Sequence, residues 1–583
     1  MTTRESISRR PLRMWSIVLL VCLSTAILLA VYGNKAQHGG SILPGSQGDA
    51  AGTVGTARAV DRIFAAWRST EAPGCAVGVS RNGRVVYEHG YGMANLETGT
   101  PIRPSSIFHV ASVSKQFTAM AVMLLARDGK LSVDDNIRKY LPEIPDYGTP
   151  ITIRHLLTHT SGLRDQWALI QLSRGRFEEN RITEADVMDI VSRQKALNFT
   201  PGAEWAYSNS GFTLLGVIVR RVAGKSLRDF SEERVFKLLG MTNTHFHDDY
   251  TMLVPGRTSA YAPRSGGWRV SIPNFDVYGA TSLFTTVGDL LKWEANFDKP
   301  VVGDRVLFDQ MESPGILTNG GPTAYGFGLQ IDHYRGARVV HHDGWDAGYR
   351  SYVGRFPEQA LAIAVLCNAA TADPSTLAQG VADAHLGGAL APAEAEIIPK
   401  AVPLSVAALQ RRAGVYIQPT TLQVVELAFR KGQLILGHTG GPTLVPVAEN
   451  RFRITGQAVE LVFANGERAG FERQPLRGGQ RLPFEWRQPT VVSSTALAAY
   501  AGEYYSEEVD ARYRVAASNS ALSFRTGTSN PTPARPLFLD MFDWDGDYTV
   551  QFVRATGEVI GFEVTNERMR RVKFARVPAR SAR

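Results

Sequence analysis

Cysteine is scarce in this chain, with three in 583 residues. Cys22 lies in an apolar run near the start and follows Val21 rather than a small residue, which argues against a lipid-attachment site. Cys75 and Cys367 sit in the strand-like segments "CAVGVS" and "LAIAVLC", with no charged or histidine neighbour to stabilise a thiolate, so neither reads as a nucleophile. We read them as two buried free thiols; pairing stays open should the two strands be neighbours, because sequence supplies no Cα geometry. Concentrated positive charge is missing too. The net charge is +8, but Arg4, Arg9, Arg10 and Arg13 precede the first apolar run and the rest of the excess is spread thinly. No basic block is interleaved with aromatics, so nucleic acid is set aside as a partner. With 44% hydrophobic and 9% aromatic residues, the chain is globular and long enough for several domains with ordinary cores.

One long uncharged run is present, "WSIVLLVCLSTAILLAVY" from Trp15 to Tyr32. As a helix it measures ~27 Å against ~30 Å of hydrocarbon. Four arginines precede it and Lys35 follows, which places the N-terminus in the cytoplasm and the rest of the chain outside. Residues 1–36 are therefore read as a signal anchor or a cleaved signal peptide, with both alternatives open. The expected location is extracytoplasmic, periplasmic or on the cell surface, with the membrane as a partner through residues 15–32 if the leader stays.

Composition divides the remainder. A Gly/Ser/Ala-rich stretch, 37–56, reads as a flexible tether. Residues 57–388 mix strand patterns, including a hairpin signal at Asn82-Gly83, with helical ones, and 389–404 is a Pro/Ala linker. Beyond it helical periodicity mostly vanishes and a repeat appears: "LQRRAGVY" (Leu409–Tyr416) and "LAAYAGEY" (Leu497–Tyr504) share L-x3-A-G-x-Y. Leu434 and Leu522, Phe452 and Phe542, and Phe471 and Phe562 keep nearly the same offset. Each copy alternates apolar and polar residues in short runs, so 405–480 and 495–583 are expected to be two small antiparallel barrels joined by a linker, 481–494. "DWDGDY" at Asp543–Tyr548 has acidic spacing too short for a calcium loop and reads as a hairpin turn.

Three motifs carry the chemistry. In "ASVSKQFTAMAVMLLA" Ser112 and Lys115 stand three residues apart at a helix start, so both side chains share one face. The helix end disfavours an ammonium and the apolar run desolvates it, which leaves an amine able to take the serine proton. In "WAYSNSG" Tyr207 and Asn209 alternate along an extended segment and point the same way; a phenol transfers protons when nearby cations lower its pKa, and an amide can hold a substrate carbonyl and the lysine. In "VVHHDGWDAGYRS" Gly344 permits close approach of a substrate backbone, and the N–H of Trp345 would face that of Ser112 across an oxyanion hole. His341, His342 and Asp343 are adjacent on one strand and do not converge on one ion, so no metal is expected. No G-x-S-x-G elbow occurs, which disfavours an α/β-hydrolase.

In chain order S-x-x-K, Y-x-N and H-x-G, with "HLLTHTSGL" (His155–Leu163), the pattern resembles the penicillin-recognising serine hydrolases, on the branch holding class C β-lactamases, D-aminopeptidases, DD-carboxypeptidases and β-lactamase-like esterases. The resemblance covers roughly residues 57 to 388. It implies an α+β fold, an antiparallel sheet flanked by helices with a helical subdomain, followed by two lipocalin-like barrels as in D-aminopeptidases, where a barrel loop reaches the mouth of the site. It also implies Ser112 as acyl-forming nucleophile, Lys115 and Tyr207 as the proton-transfer pair, Asn209 as a positioning group, and His342 where many β-lactamases carry a lysine, there as a neutral hydrogen-bond donor to substrate. "HLLTHTSGL" is expected to be structural. The expected activity is hydrolysis of an amide or ester through an acyl-enzyme, without metal or organic cofactor. D-amino-acid-containing peptides, including peptidoglycan fragments, are the leading substrates, followed by simple esters and β-lactams. A catalytically silent wall-binding or scaffold protein is the alternative of another class.

Overall fold

The computed structural model describes residues 47–578 apart from 176–180, 393–400, 438–440, 456, 458, 467, 476–480, 489–491 and 519. The apolar run at 15–32 and most of the tether lie outside the described residues. Where the tether meets them the expectation is corrected: a helix, Gln47–Ile63, begins inside 37–56, and its last turns are tied down by Val60 and Phe64, buried on one face of the main sheet. Among the described residues no helix is long and apolar enough to cross a membrane.

The main sheet has six antiparallel strands, in spatial order Gln330–Tyr334, Ala337–Asp346, Tyr349–Phe356, Leu361–Cys367, Cys75–Arg81 and Arg84–Tyr91. The Asn82-Gly83 turn, both residues at positive φ, joins the last two, which is the backbone a two-residue hairpin requires. Because the strand that closes the domain pairs with the one that opens it, Cys75 lies opposite Cys367, and the two are joined in a disulfide. This corrects the reading of free thiols: the strands are immediate neighbours, so the side chains meet. Helix Val287–Asp298 packs on one face and helix Pro374–Leu386 on the other. Beyond the first of these lies the helical part, built round the buried helices Ser114–Arg127 and Asn209–Ala223. A small sheet of Phe108–His109, Leu283–Thr285 and His245–Phe246 sits beside it.

Two closed eight-stranded antiparallel barrels complete the chain, spanning Gly414–Arg487 and Gly502–Arg576. The strand Leu482–Arg487 closes the first barrel, so the reading of 481–494 as a linker is corrected; Phe484 of that strand points into the core, an alternation too short to stand out beside Pro483. The shared signature has a physical reason in both copies. Leu409 and Leu497 are buried, and the phenols of Tyr416 and Tyr504 donate to the carbonyls of Arg412 and Tyr500, four residues back. Leu434, Phe452 and Phe471, with Leu522, Phe542 and Phe562, fill the barrel interiors.

Candidate active site

Ser112 lies in a tight 3-10 turn, Ala111–Val113, that runs straight into the helix Ser114–Arg127. In such a turn residues three apart nearly eclipse, which brings Lys115 over Ser112. The turn is held from outside: Ser351 Oγ donates to Val110 O (2.7 Å), Ser114 Oγ donates to Ala111 O (2.5 Å), and Leu283 N–H donates to Ser114 Oγ (3.0 Å). Ala111 is forced to φ +46°, a left-handed conformation costly for a residue with a Cβ and characteristic of functional turns.

Lys115 is fully buried, and its Nζ lies 2.9 Å from Ser112 Oγ, 2.8 Å from Asn209 Oδ1 and 2.7 Å from Ala280 O. Burial lowers its pKa to about 7, with Arg568 acting the same way and Asp165 opposing. Two of the three partners can only accept, so in the neutral amine both hydrogens are committed to them and the lone pair faces the serine hydroxyl. Asn209 cannot turn round to disturb this, because its Nδ2 and its backbone N–H both donate to Asp165 Oδ2, at 2.8 and 2.7 Å.

The Tyr207 phenol lies beside Ser112, whose hydroxyl lowers its pKa, and Lys115 Nζ stands 4.9 Å from its ring centroid. Contrary to the expectation of a lowered pKa, burial raises it, outweighing the Ser112 hydrogen bond and Arg568. The phenol stays protonated and works as a donor and relay. His159 supports this ring from behind, 4.3 Å between centroids, while its Nδ1 accepts from Ser208 N–H, which is the structural part expected of "HLLTHTSGL".

The third motif is only partly as expected. A Cβ on Gly344 would stand 2.3 Å from Val110 O and 2.4 Å from Ser351 Oγ, so this glycine lets the strand Ala337–Asp346 press against the nucleophile turn rather than touch substrate itself. Trp345 follows, 60% exposed, and lines the same cavity as Ser112. The expectation for His342 is corrected. Its ring is buried, Nδ1 donates to Asp343 O (2.6 Å) and Nε2 accepts from the Tyr325 phenol (2.9 Å), while burial holds its pKa down to about 4. Both nitrogens are committed to the protein, and His342 is absent from the cavity lining.

The cavity measures 1240 Å³ and draws its walls from the hydrolytic domain and from both barrels. The Thr421–Val424 stretch comes from the first barrel, and the Asp543 hairpin and the turn Asn566–Arg568 come from the second. Asp543 does cap a hairpin, through Gly546 N–H (3.1 Å). Arg568 sets its guanidinium 5.6 Å from the Tyr207 ring centroid, and its carbonyl accepts from Asp165 N–H (3.1 Å) and Asn198 Nδ2 (3.0 Å). Arg164 reaches under this turn, donating to Arg570 O and pairing with Glu508. Asp165 and Arg568 are the site residues that sequence reasoning missed. Asp165 carried a readable signal only as the N-cap of Gln166–Arg174.

The beta-lactamase family model matches residues 59–386. Among curated proteins, the chain is 28% identical over 387 residues to a D-aminopeptidase of Brucella canis, covering 66% of this chain and 72% of that one. It is 29% identical over 312 residues to a D-aminopeptidase of Gluconobacter oxydans, covering 54% and 59%. Among solved structures it superposes on the octameric penicillin-binding protein homologue from Pyrococcus abyssi with a TM-score of 0.53 at 23% identity, covering 74% of this chain and 99% of that one. It superposes on SurE with D-Leu at a TM-score of 0.51 and 20% identity, covering 75% and 100%; at such identities these two likenesses speak for the fold.

Proposed function

The chain belongs to the beta-lactamase family and is a serine hydrolase, and we propose that it releases N-terminal D-amino acids from short peptides or amides through an acyl-enzyme on Ser112. One observation carries the reading: the buried lysine whose lone pair is turned to Ser112 by two acceptor-only partners. Lys115 takes the Ser112 proton as Oγ attacks the substrate carbonyl. The main-chain N–H groups of Ser112 and Trp345 receive the oxyanion. The proton then passes through Lys115 and the Tyr207 phenol to the departing nitrogen, which leaves as an amine, and water repeats the sequence on the ester.

The substrate class rests on the D-aminopeptidases to which the chain is similar and on the charge of the cavity, where seven acidic side chains line the wall against three arginines, Arg350, Arg535 and Arg568. Such a wall favours a free amine. His342 offers no donor, so the carboxylate of a β-lactam finds no partner there. Export completes the reading. The leader Trp15–Tyr32 directs the chain across the membrane, whether retained or removed, and the Cys75–Cys367 disulfide suits an oxidising compartment; peptidoglycan-derived peptides are the substrates within reach there.

The test is hydrolysis of D-alanine p-nitroanilide beside its L enantiomer, with the fluorophosphonate-labelled residue located by mass spectrometry. The D substrate is expected to be preferred and the adduct to sit on Ser112. An L preference refutes the substrate class, and labelling that survives Ser112→Ala refutes the nucleophile.

A further inference from the structure

A second cavity, 1300 Å³, adjoins the catalytic one and shares Gln171, Pro273, Phe275 and Ala347 with it. Its lining carries two arginines, Arg257 and Arg269, beside His109 and His247, whose imidazoles burial keeps neutral, and no Asp or Glu. Phe284 organises the wall. The Arg257 guanidinium lies 4.9 Å from the centroid of its ring and the His247 imidazole 4.5 Å, so both stand on one aromatic platform carried by the small sheet of Leu283–Thr285.

The charged donors of the chamber are its arginines. Arg257 lies beside the Tyr349 phenol, whose pKa it lowers against burial, and forms no ion pair among the described residues, which leaves its donors for something else. His247 is 4% exposed and neither ring nitrogen has a hydrogen-bond partner. Both nitrogens are sealed from solvent, so His247 supplies wall to the chamber and Arg257 supplies its donors. Of the nearby carboxylates, Asp248 pairs with Arg228 and Asp249 accepts from Thr251, while Asp346 stands 3.7 Å from His109 Nε2 and accepts from Thr281 Oγ1.

We infer that this chamber is the subsite for the carboxylate on the leaving-group side of the substrate, held by Arg257 with Arg269 at the rim. It rests on the aminopeptidase reading above and narrows it. The acid-rich catalytic cavity takes the free amine of the acyl residue, and the adjoining cationic chamber takes the terminal carboxylate of the residue released. The two together select short zwitterionic peptides over amides and over longer chains.

The test compares kcat/KM for D-Ala-D-Ala and for the same dipeptide amidated at its C-terminus, using the full chain. The free acid is expected to be preferred by about tenfold, the worth of a charge-assisted hydrogen bond. Arg257→Gln should erase most of that preference, and Arg269→Gln, at the exposed rim, should reduce it in the same direction without touching the buried wall. Equal rates for the two dipeptides, or a preference unchanged in Arg257→Gln, overturn the proposal. A separate arm does not depend on turnover: calorimetric titration of glutarate into Ser112→Ala is expected to show saturable binding that Arg257→Gln abolishes. If neither dipeptide is cleaved but glutarate binds in this way, the aminopeptidase reading fails and the anion chamber stands; no saturable glutarate binding sinks the chamber itself.

Discussion

Lys115 decides the chemistry through a competition between burial and charge. Desolvation lowers its pKa, Asp165 opposes, and the balance falls near 7. The amine must be neutral to accept the Ser112 proton, so activity belongs to the deprotonated form. Fluorophosphonate acylation should therefore fall about tenfold per pH unit below about 7 and level off above it. Lys115→Met should reduce acylation by several orders of magnitude at every pH; a flat profile in the parent, or rapid labelling in the variant, would move the base elsewhere. The S-x-x-K and Y-x-N pairs were legible in the sequence because their spacing is local: one turn of helix and two residues of extended chain suffice to aim them. Asp165 was not, since its hold on Asn209 joins two separate stretches of chain. His342 was legible as a position but not as a role, because Tyr325, which occupies Nε2, comes from outside the motif.

At the scale of elements, the site depends on how closely the strand Ala337–Asp346 meets the turn Ala111–Val113. Gly344 sets that distance. A methyl group there would fall on a backbone carbonyl, Val110 O, as well as on Ser351 Oγ, and the carbonyl cannot rotate away as a side chain would. Gly344→Ala should push strand and turn apart by a fraction of an ångström to an ångström, enough to cost ~100-fold in acylation, with KM for a neutral substrate less affected. Steady-state and labelling kinetics on the folded variant would show it, and near-parental acylation would mean that the oxyanion donors do not rely on this contact. The barrels were legible as elements because their inward residues recur at a nearly fixed offset, Phe452 with Phe542 and Leu434 with Leu522. The neighbouring of Cys75 and Cys367 was not, because it is a property of the strand order and not of either segment.

At the scale of the whole molecule, the second barrel is part of the active-site wall rather than an appendage. Its turn brings Arg568 to Tyr207, and the contact is secured by a buried ion pair, Arg164 with Glu508 at 2.5 Å, 2% and 5% exposed. A second pair, Arg570 with Glu204 at 2.9 Å, lies beside it. Removing one partner of a buried pair strands the other charge, at a cost of about 3–5 kcal/mol. Glu508→Gln should therefore lower the melting temperature by several degrees. Because Arg164 precedes Asp165, which holds Asn209 and thereby Lys115, the damage should also reach the chemistry: acylation of Ser112 should slow together with the loss of stability, although Glu508 lies outside the cavity lining. Glu503→Gln, on the outward side of a strand of the same barrel and paired among the described residues with the surface arginines Arg512 and Arg514, should do neither. If Glu508→Gln destabilised the protein yet left acylation at the parental rate, the barrel would be tied to the catalytic domain for stability alone. If it slowed acylation as expected, the site would have to be counted as built by both parts of the chain, and excising the barrels would remove a wall of the enzyme along with its loop.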